Sequence, residues 1–94
     1  MRKLLWGKTF VRAVKRVNRR QADLLKILQP TFQLLAVDPF APQLETHKLK
    51  GKLYGSWACK AGYDLRIIFD FIKNPDHGDD NILLLELGSH EEVY

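Results

Sequence analysis

The chain has 94 residues, of which 46% are hydrophobic and 28% charged, and it carries a formal net charge of +4. That composition excludes a disordered chain and suffices for one core, so residues 1–94 are expected to form a single domain whose function is carried on its surface. The single cysteine, Cys59, excludes an internal disulfide, and neither a zinc-ligand cluster nor a membrane-spanning apolar run is present.

Residues 2–6, RKLLW, read as a first strand, and Gly7 lets the backbone turn. From Thr9, a plausible N-cap, the period changes: Phe10, Val14 and Val17 share one helical face, while Arg12, Lys15, Arg16 and Arg19 point elsewhere, as far as Asn18. Removing this acid-free start as a signal or transit peptide would delete apolar residues that the fold needs, so it is read as part of the domain. A second helical pattern runs from about Gln21 to Val37, with Leu24, Leu28, Phe32 and Leu35 as its inner stripe and Asp23 in its first turn. Pro30 falls inside it and predicts a kink or a division into two pieces; Asp38-Pro39 ends it.

After Pro42 the texture becomes β. Residues 44–50, LETHKLK, alternate, with Leu44, Thr46, Lys48 and Lys50 on one side and Glu45, His47 and Leu49 on the other. A loop over Gly51–Ser56 leads into SWACK, LRIIFDFI is the best candidate for a central strand, and NILLLEL returns after the turn formers between Asn74 and Asp80. The order is β-α-α-β-β-β-β: an α+β domain with two N-terminal helices packed on one face of a mainly antiparallel sheet. The ending GSHEEVY then places His90 and Tyr94 just beyond the last strand, which is expected to deliver them directly into a cleft. Trp57 and Phe69 read as core, Cys59 as a buried small hydrophobe, and His77 as solvated loop.

Charge is unevenly spread. Residues 1–22 hold Arg2, Lys3, Lys8, Arg12, Lys15, Arg16, Arg19 and Arg20 with no acid, a second basic group follows at Lys48, Lys50, Lys52, Lys60 and Arg66, and acids gather late at Asp76, Asp79, Asp80, Glu91 and Glu92. Such a surface attracts phosphate backbones or an acidic protein partner.

Three stretches together resemble a known superfamily. HKLKG at 47–51, DLRIIFDF at 64–71 and LGSHEEVY at 87–94, with the L-x-x-D-P turn of Leu35-Ala36-Val37-Asp38-Pro39, resemble the RelE/ParE superfamily of bacterial type II toxins over nearly the whole chain. Within it the chain is most similar to the YafQ-like and YoeB-like ribosome-dependent mRNA endonucleases. The YafQ-like pattern corresponds to His47, Asp64, His90 and the aromatic Tyr94; the YoeB-like pattern corresponds to Arg66 and His90. Two YafQ-type positions differ, with Lys60 in place of a histidine and Leu65 in place of a tryptophan, so that family's catalytic division of labour does not carry over whole.

The single cysteine suits a reducing cytoplasm, and the resemblance implies a toxin, neutralised by a cognate antitoxin, that acts on mRNA at the ribosome; the acid–base chemistry expected of it requires no metal or cofactor. Its chemistry needs a base for the RNA 2′-hydroxyl, an acid for the departing 5′-oxygen, and positive charge at the phosphate. Histidine suits the first two tasks because it titrates near neutrality, and the planar arginine fork suits the third. His47 is therefore expected as base, His90 as acid and Arg66 as the phosphate clamp. Asp64 is expected to orient a neighbour or form a salt bridge, Tyr94 to stack on a base or donate a hydrogen bond, and Lys48, Lys50, Lys52 and Lys60 to hold the RNA backbone. The rival reading is a ParE-like toxin that inhibits DNA gyrase by binding, or an inactive relative kept as a binding partner; neither needs the two histidines.

Overall fold

The computed structural model describes residues 1–51, 55–76 and 78–94, so Lys52 and His77, both singled out above, lie outside the described residues. Strand β1 (Leu4–Trp6) leads into α1 (Lys8–Asn18) and α2 (Leu24–Val37), followed by a 3-10 turn at Pro42–Leu44. Then come β2 (His47–Lys48), β3 (Trp57–Ala61), β4 (Leu65–Ile72), β5 (Asn81–Ser89) and a final short helix, α3 (His90–Val93). The sheet order is β1-β5-β4-β3-β2, with every neighbouring pair antiparallel except β1 and β5.

Strand β1 and α1 join without a linker because Gly7 lies against β5. Its N–H donates to the Leu84 carbonyl at 2.9 Å, and a Cβ at this position would stand 2.8 Å from that oxygen. Gly7 is thus the N-cap, with no side-chain capping bond. Thr9, the expected cap, lies inside the first turn and donates its hydroxyl to the Leu85 carbonyl at 2.5 Å, tying α1 to β5.

Helix α2 begins at Leu24, three residues later than its apolar pattern predicts, because the chain from Arg19 to Asp23 makes the turn that closes α1. Asp23 is consequently the N-cap, held at a left-handed φ of 58°, rather than a first-turn acid. Pro30 does not divide the helix, which is continuous over 14 residues. An interior proline costs about 3 kcal/mol. Leu24 and Leu28 before it and Leu35 after it are fully buried, each contributing roughly 1.5–3 kcal/mol, so both halves are pinned to the same core. Pro30 and Lys26 are exposed, leaving the carbonyl that the proline deprives of its partner on the water side.

The strand expected over residues 44–50 is reduced to His47–Lys48. Glu45 has φ 50°, a conformation that cannot continue an extended chain, and the turn before it drives Leu44 into the main core. Leu49 points to the opposite face of the sheet instead.

Two apolar layers result. The larger lies between the N-terminal helices and one sheet face, where Phe10, Val17, Leu24, Leu28 and Leu35 meet Ile67, Phe69, Ile82, Leu84 and Leu87. Cys59 is buried there, and desolvation pushes its thiol up to about 12, which leaves it a small apolar side chain. Trp57 is half-buried, in edge contact with Phe40 and Phe71. On the other face Leu49, Ala58, Ile68 and Val93 form a small second cluster. Leu85 joins it because a bulge between Glu86 and Leu84, which pair with Ile68 and Phe69, leaves Leu85 as the extra residue.

Candidate active site

The open face of the sheet carries the site. Lys60 on β3 pairs in register with Arg66 on β4, Arg66 pairs with Gly88 on β5, and His47 on β2 pairs with Ala58. Residues opposite each other across strands project to the same face, so one row brings Lys60 and Arg66 together beneath the chain end.

That end is not the direct strand exit expected from the sequence. Strand β5 runs through Ser89 and the chain then folds back as α3. Four residues cannot hold a helix by themselves, and three devices hold this one. Ser89 and Glu92 form a reciprocal capping box, with Ser89 N–H donating to Glu92 Oε1 at 2.9 Å and Glu92 N–H to Ser89 Oγ at 3.3 Å. Arg20, in the turn just past α1, donates to the same Glu92 oxygen. The Ser89 backbone N–H, then Arg20, hold the Glu92 carboxyl down to about 2. Val93 is buried in the small cluster. Gly88 permits the reversal: a Cβ there would lie 3.0 Å from Glu92 Cβ and 3.1 Å from Val93 Cγ1.

Helix α3 delivers two side chains. His90 and Tyr94, four residues apart, pack edge-to-face with centroids 4.5 Å apart, and the Tyr94 hydroxyl reaches His47 Nε2 at 3.2 Å. His47 Nδ1 lies 3.0 Å from the Glu45 carbonyl oxygen. A carbonyl only accepts, so in the neutral ring Nδ1 carries the proton, Nε2 carries the lone pair, and Tyr94 donates to it. The left-handed Glu45 that shortens β2 thus also sets the tautomer of His47. Burial raises the pKa of Tyr94 above its ordinary value, against a smaller opposing pull from Arg66.

His47, His90 and Tyr94 stand on the divide between two depressions. One, of about 760 Å³, is lined by them together with Lys48, Leu49, Lys50, Glu92 and Val93. The other, a notch of about 170 Å³, adds Glu45, Lys60 and Arg66. Arg66 donates Nη1–H to the Leu65 carbonyl at 3.0 Å, Lys60 pairs with Glu45 at 3.5 Å, and Lys48 lies 5.8 Å from the Trp57 ring centroid. Asp64 is not brought to this place; it lines a separate hollow with Arg20, Tyr63 and Glu92, and among the described residues no ion pair reaches it. Among the described residues no group of three or more His, Cys, Asp or Glu side chains is placed to hold a metal ion, and no helix is long and apolar enough to cross a membrane.

The model of the family described as the bacterial toxin of type II toxin–antitoxin systems, YafQ, matches residues 2–94. The chain belongs to the YafQ toxin family. Solved toxin structures agree with this fold. The metal-bound toxin of Helicobacter pylori superposes with a TM-score of 0.76 at 29% identity over 100% of both chains. YafQ of E. coli gives 0.75 at 18% identity, over 100% of this chain and 99% of the other. A YoeB/ParE toxin of Agrobacterium tumefaciens gives 0.70 at 17% identity, over 94% of this chain and 98% of the other. No curated protein sequence matches the chain. In this YafQ-family chain the sequence reading missed Glu45, Gly88, Ser89, Glu92 and Arg20, which shape the site without carrying its chemistry. Only the Ser89-x-x-Glu92 spacing of a capping box was visible beforehand.

Proposed function

We propose that this toxin is a ribosome-dependent endoribonuclease that cuts translated mRNA through the RNA's own 2′-hydroxyl. The observation that carries the reading is the convergence of His47, His90 and Tyr94, from two distant segments, on a notch containing Arg66 and Lys60. In this reading the substrate 2′-hydroxyl takes the place of the Tyr94 hydroxyl at His47 Nε2, whose lone pair accepts the proton as the oxygen attacks the adjacent phosphorus. Arg66, with N–H donors beyond the one given to Leu65, holds the phosphoryl oxygens as charge builds on them. His90, protonated, gives its proton to the leaving 5′-oxygen as the P–O5′ bond breaks. Lys60 adds charge beside Arg66, and Lys48 and Lys50 line the wider cleft along which the flanking backbone lies. Tyr94 remains available to stack on a nucleobase or to donate to the phosphate.

Asp64 has no direct part, since it opens on another hollow. The partner expected for such a toxin is a cognate antitoxin; E. coli YafQ has been crystallised in complex with DinJ. Acid–base groups at one notch favour cleavage over a ParE-like toxin that acts by binding alone. The test is to induce the protein in bacteria and map cut sites on a translated mRNA and on the same message with its start codon removed. Cuts confined to the translated message are expected; equal cutting of both refutes ribosome dependence, and no cutting of either refutes the nuclease.

A further inference from the structure

Helix α1 carries a second basic surface that the cleft does not use. Lys8, Arg12, Lys15 and Arg19 stand at i, i+4, i+7 and i+11, and Arg19 keeps helical backbone angles. At about 100° per residue these positions fall within about 60° of one another, opposite the buried Phe10, Ala13 and Val17, and span roughly 16 Å along the axis. All four side chains are exposed, and among the described residues no ion pair or hydrogen bond reaches them. Their neighbours Arg16 and Arg20 are employed differently, pairing with Glu86 and Glu92. The cations at Arg16 and, just past the helix, at Arg20 are thus neutralised, and an outer row of four is left with no acid on α1.

We propose that this row binds the phosphate backbone of base-paired RNA. An amphipathic peptide docks through apolar side chains, which the row lacks. Single-stranded RNA is held by cations interleaved with aromatic platforms, and no aromatic side chain stands in the row. A rigid line of cations matches instead the regular charge of a duplex, which is recognised through its backbone and shape. The toxin then grips folded RNA with α1 while its cleft handles an unpaired strand. This surface is separate from the cleft and does not rest on the cleavage chemistry.

The test measures binding to a fully 2′-O-methylated RNA duplex, which the proposed nuclease cannot cut, as a function of salt. Wild type is compared with Arg12→Gln/Lys15→Gln/Arg19→Gln and with Lys3→Gln/Lys26→Gln/Lys73→Gln, which removes the same charge from exposed lysines elsewhere. Thermal melting of both variants verifies the fold. The α1 variant is expected to lower the slope of log affinity against log salt by about 2–3 and to weaken duplex binding at least about tenfold more than the control. Equal losses in the two variants overturn the proposal, because net charge alone then accounts for binding. An equal loss on a single-stranded RNA of the same length overturns the preference for a duplex. Weakened binding of a polyglutamate peptide with duplex binding unchanged assigns the row to an acidic protein instead.

Discussion

The Tyr94 hydroxyl donates to Nε2 of His47 across 3.2 Å, while the backbone of Glu45 accepts from Nδ1 of the same ring at 3.0 Å. One imidazole is therefore held from both sides, by a turn two residues before it and by a side chain 47 residues after it. The bond to Glu45 fixes which nitrogen is basic, and the bond to Tyr94 occupies that nitrogen in the free protein. Long-range 15N spectra of neutral His47 should show the proton on Nδ1, in wild type and in Tyr94→Phe alike. A proton on Nε2 in either would remove the arrangement on which its role as base depends.

Tyr94 also predicts an alkaline limit. Its folded pKa is raised above 10, chiefly by desolvation, so the neutral phenol is favoured in the fold. Its contribution is complete below pH 10, the unfolded value, and is lost as pH rises through the higher folded value. Tyrosinate absorbance should show a titration step above pH 10 that Tyr94→Phe abolishes. A titration curve above pH 10 that is the same in wild type and Tyr94→Phe would contradict the burial of this ring.

Glu92 sets the corresponding acid limit. The Ser89 N–H and Arg20 depress its carboxyl from 4.5 to about 2, so its contribution is present above pH 4.5 and is lost as pH falls toward 2. Helix α3 should loosen over that window while the main core persists. Amide hydrogen exchange at Glu92 and Tyr94, compared with that of β4, is the measurement. In Arg20→Gln the loosening should begin at higher pH, because one of the groups favouring the carboxylate is gone; an unchanged onset would show that Arg20 does not hold α3.

Replacement of either histidine should affect rate far more than fold. His47→Ala and His90→Ala are each expected to slow single-turnover cleavage on programmed ribosomes by about 10² or more, with ribosome binding retained, as general acid–base groups do. Rates within about threefold of wild type in both variants would exclude the pair from the mechanism. The products should carry a 5′-hydroxyl and a 2′,3′-cyclic or 3′-phosphate, and 2′-O-methylation at the cut site should block the reaction. Recovery of 5′-phosphate ends would point instead to an activated water.

Gly88→Ala tests the placement of α3 without touching any reacting group. The new methyl meets Glu92 Cβ at 3.0 Å and Val93 Cγ1 at 3.1 Å, so the helix must shift by a few tenths of an ångström and carry His90 and Tyr94 with it. Cleavage should fall about tenfold or more, since small misplacements of reacting groups are costly, while the near-ultraviolet spectrum of the main core stays unchanged. Full activity in this variant would mean that the notch tolerates movement of α3.

The sequence by itself determined the elements whose apolar pattern is strong and local. The periods of Phe10, Val14 and Val17, the run of β4 and the alternation of long strands with turn formers each follow from burial of one face, and they sufficed for the architecture. The superfamily came from the resemblance carried by HKLKG, DLRIIFDF and LGSHEEVY, and that resemblance is what grouped His47, His90, Arg66 and Tyr94. What only the tertiary structure decided depends on contacts between segments far apart in the chain. Pro30 was overridden by leucines that bury against the sheet on both sides of it. Glu45 took a left-handed φ that shortened β2, and that conformation aimed a carbonyl at His47. The end of the chain became a helix because Arg20, some seventy residues earlier, meets Glu92, and because Val93 finds a cluster assembled from Leu49, Ala58 and Ile68. Asp64 was grouped with the site through the YafQ-like pattern, as an orienting group or a salt-bridge partner, yet it sits in the tight turn between β3 and β4 and opens on a different hollow. Local period reports which face of a segment is buried; the meeting of side chains across a fold is set by register and chain reversal, which no local pattern contains.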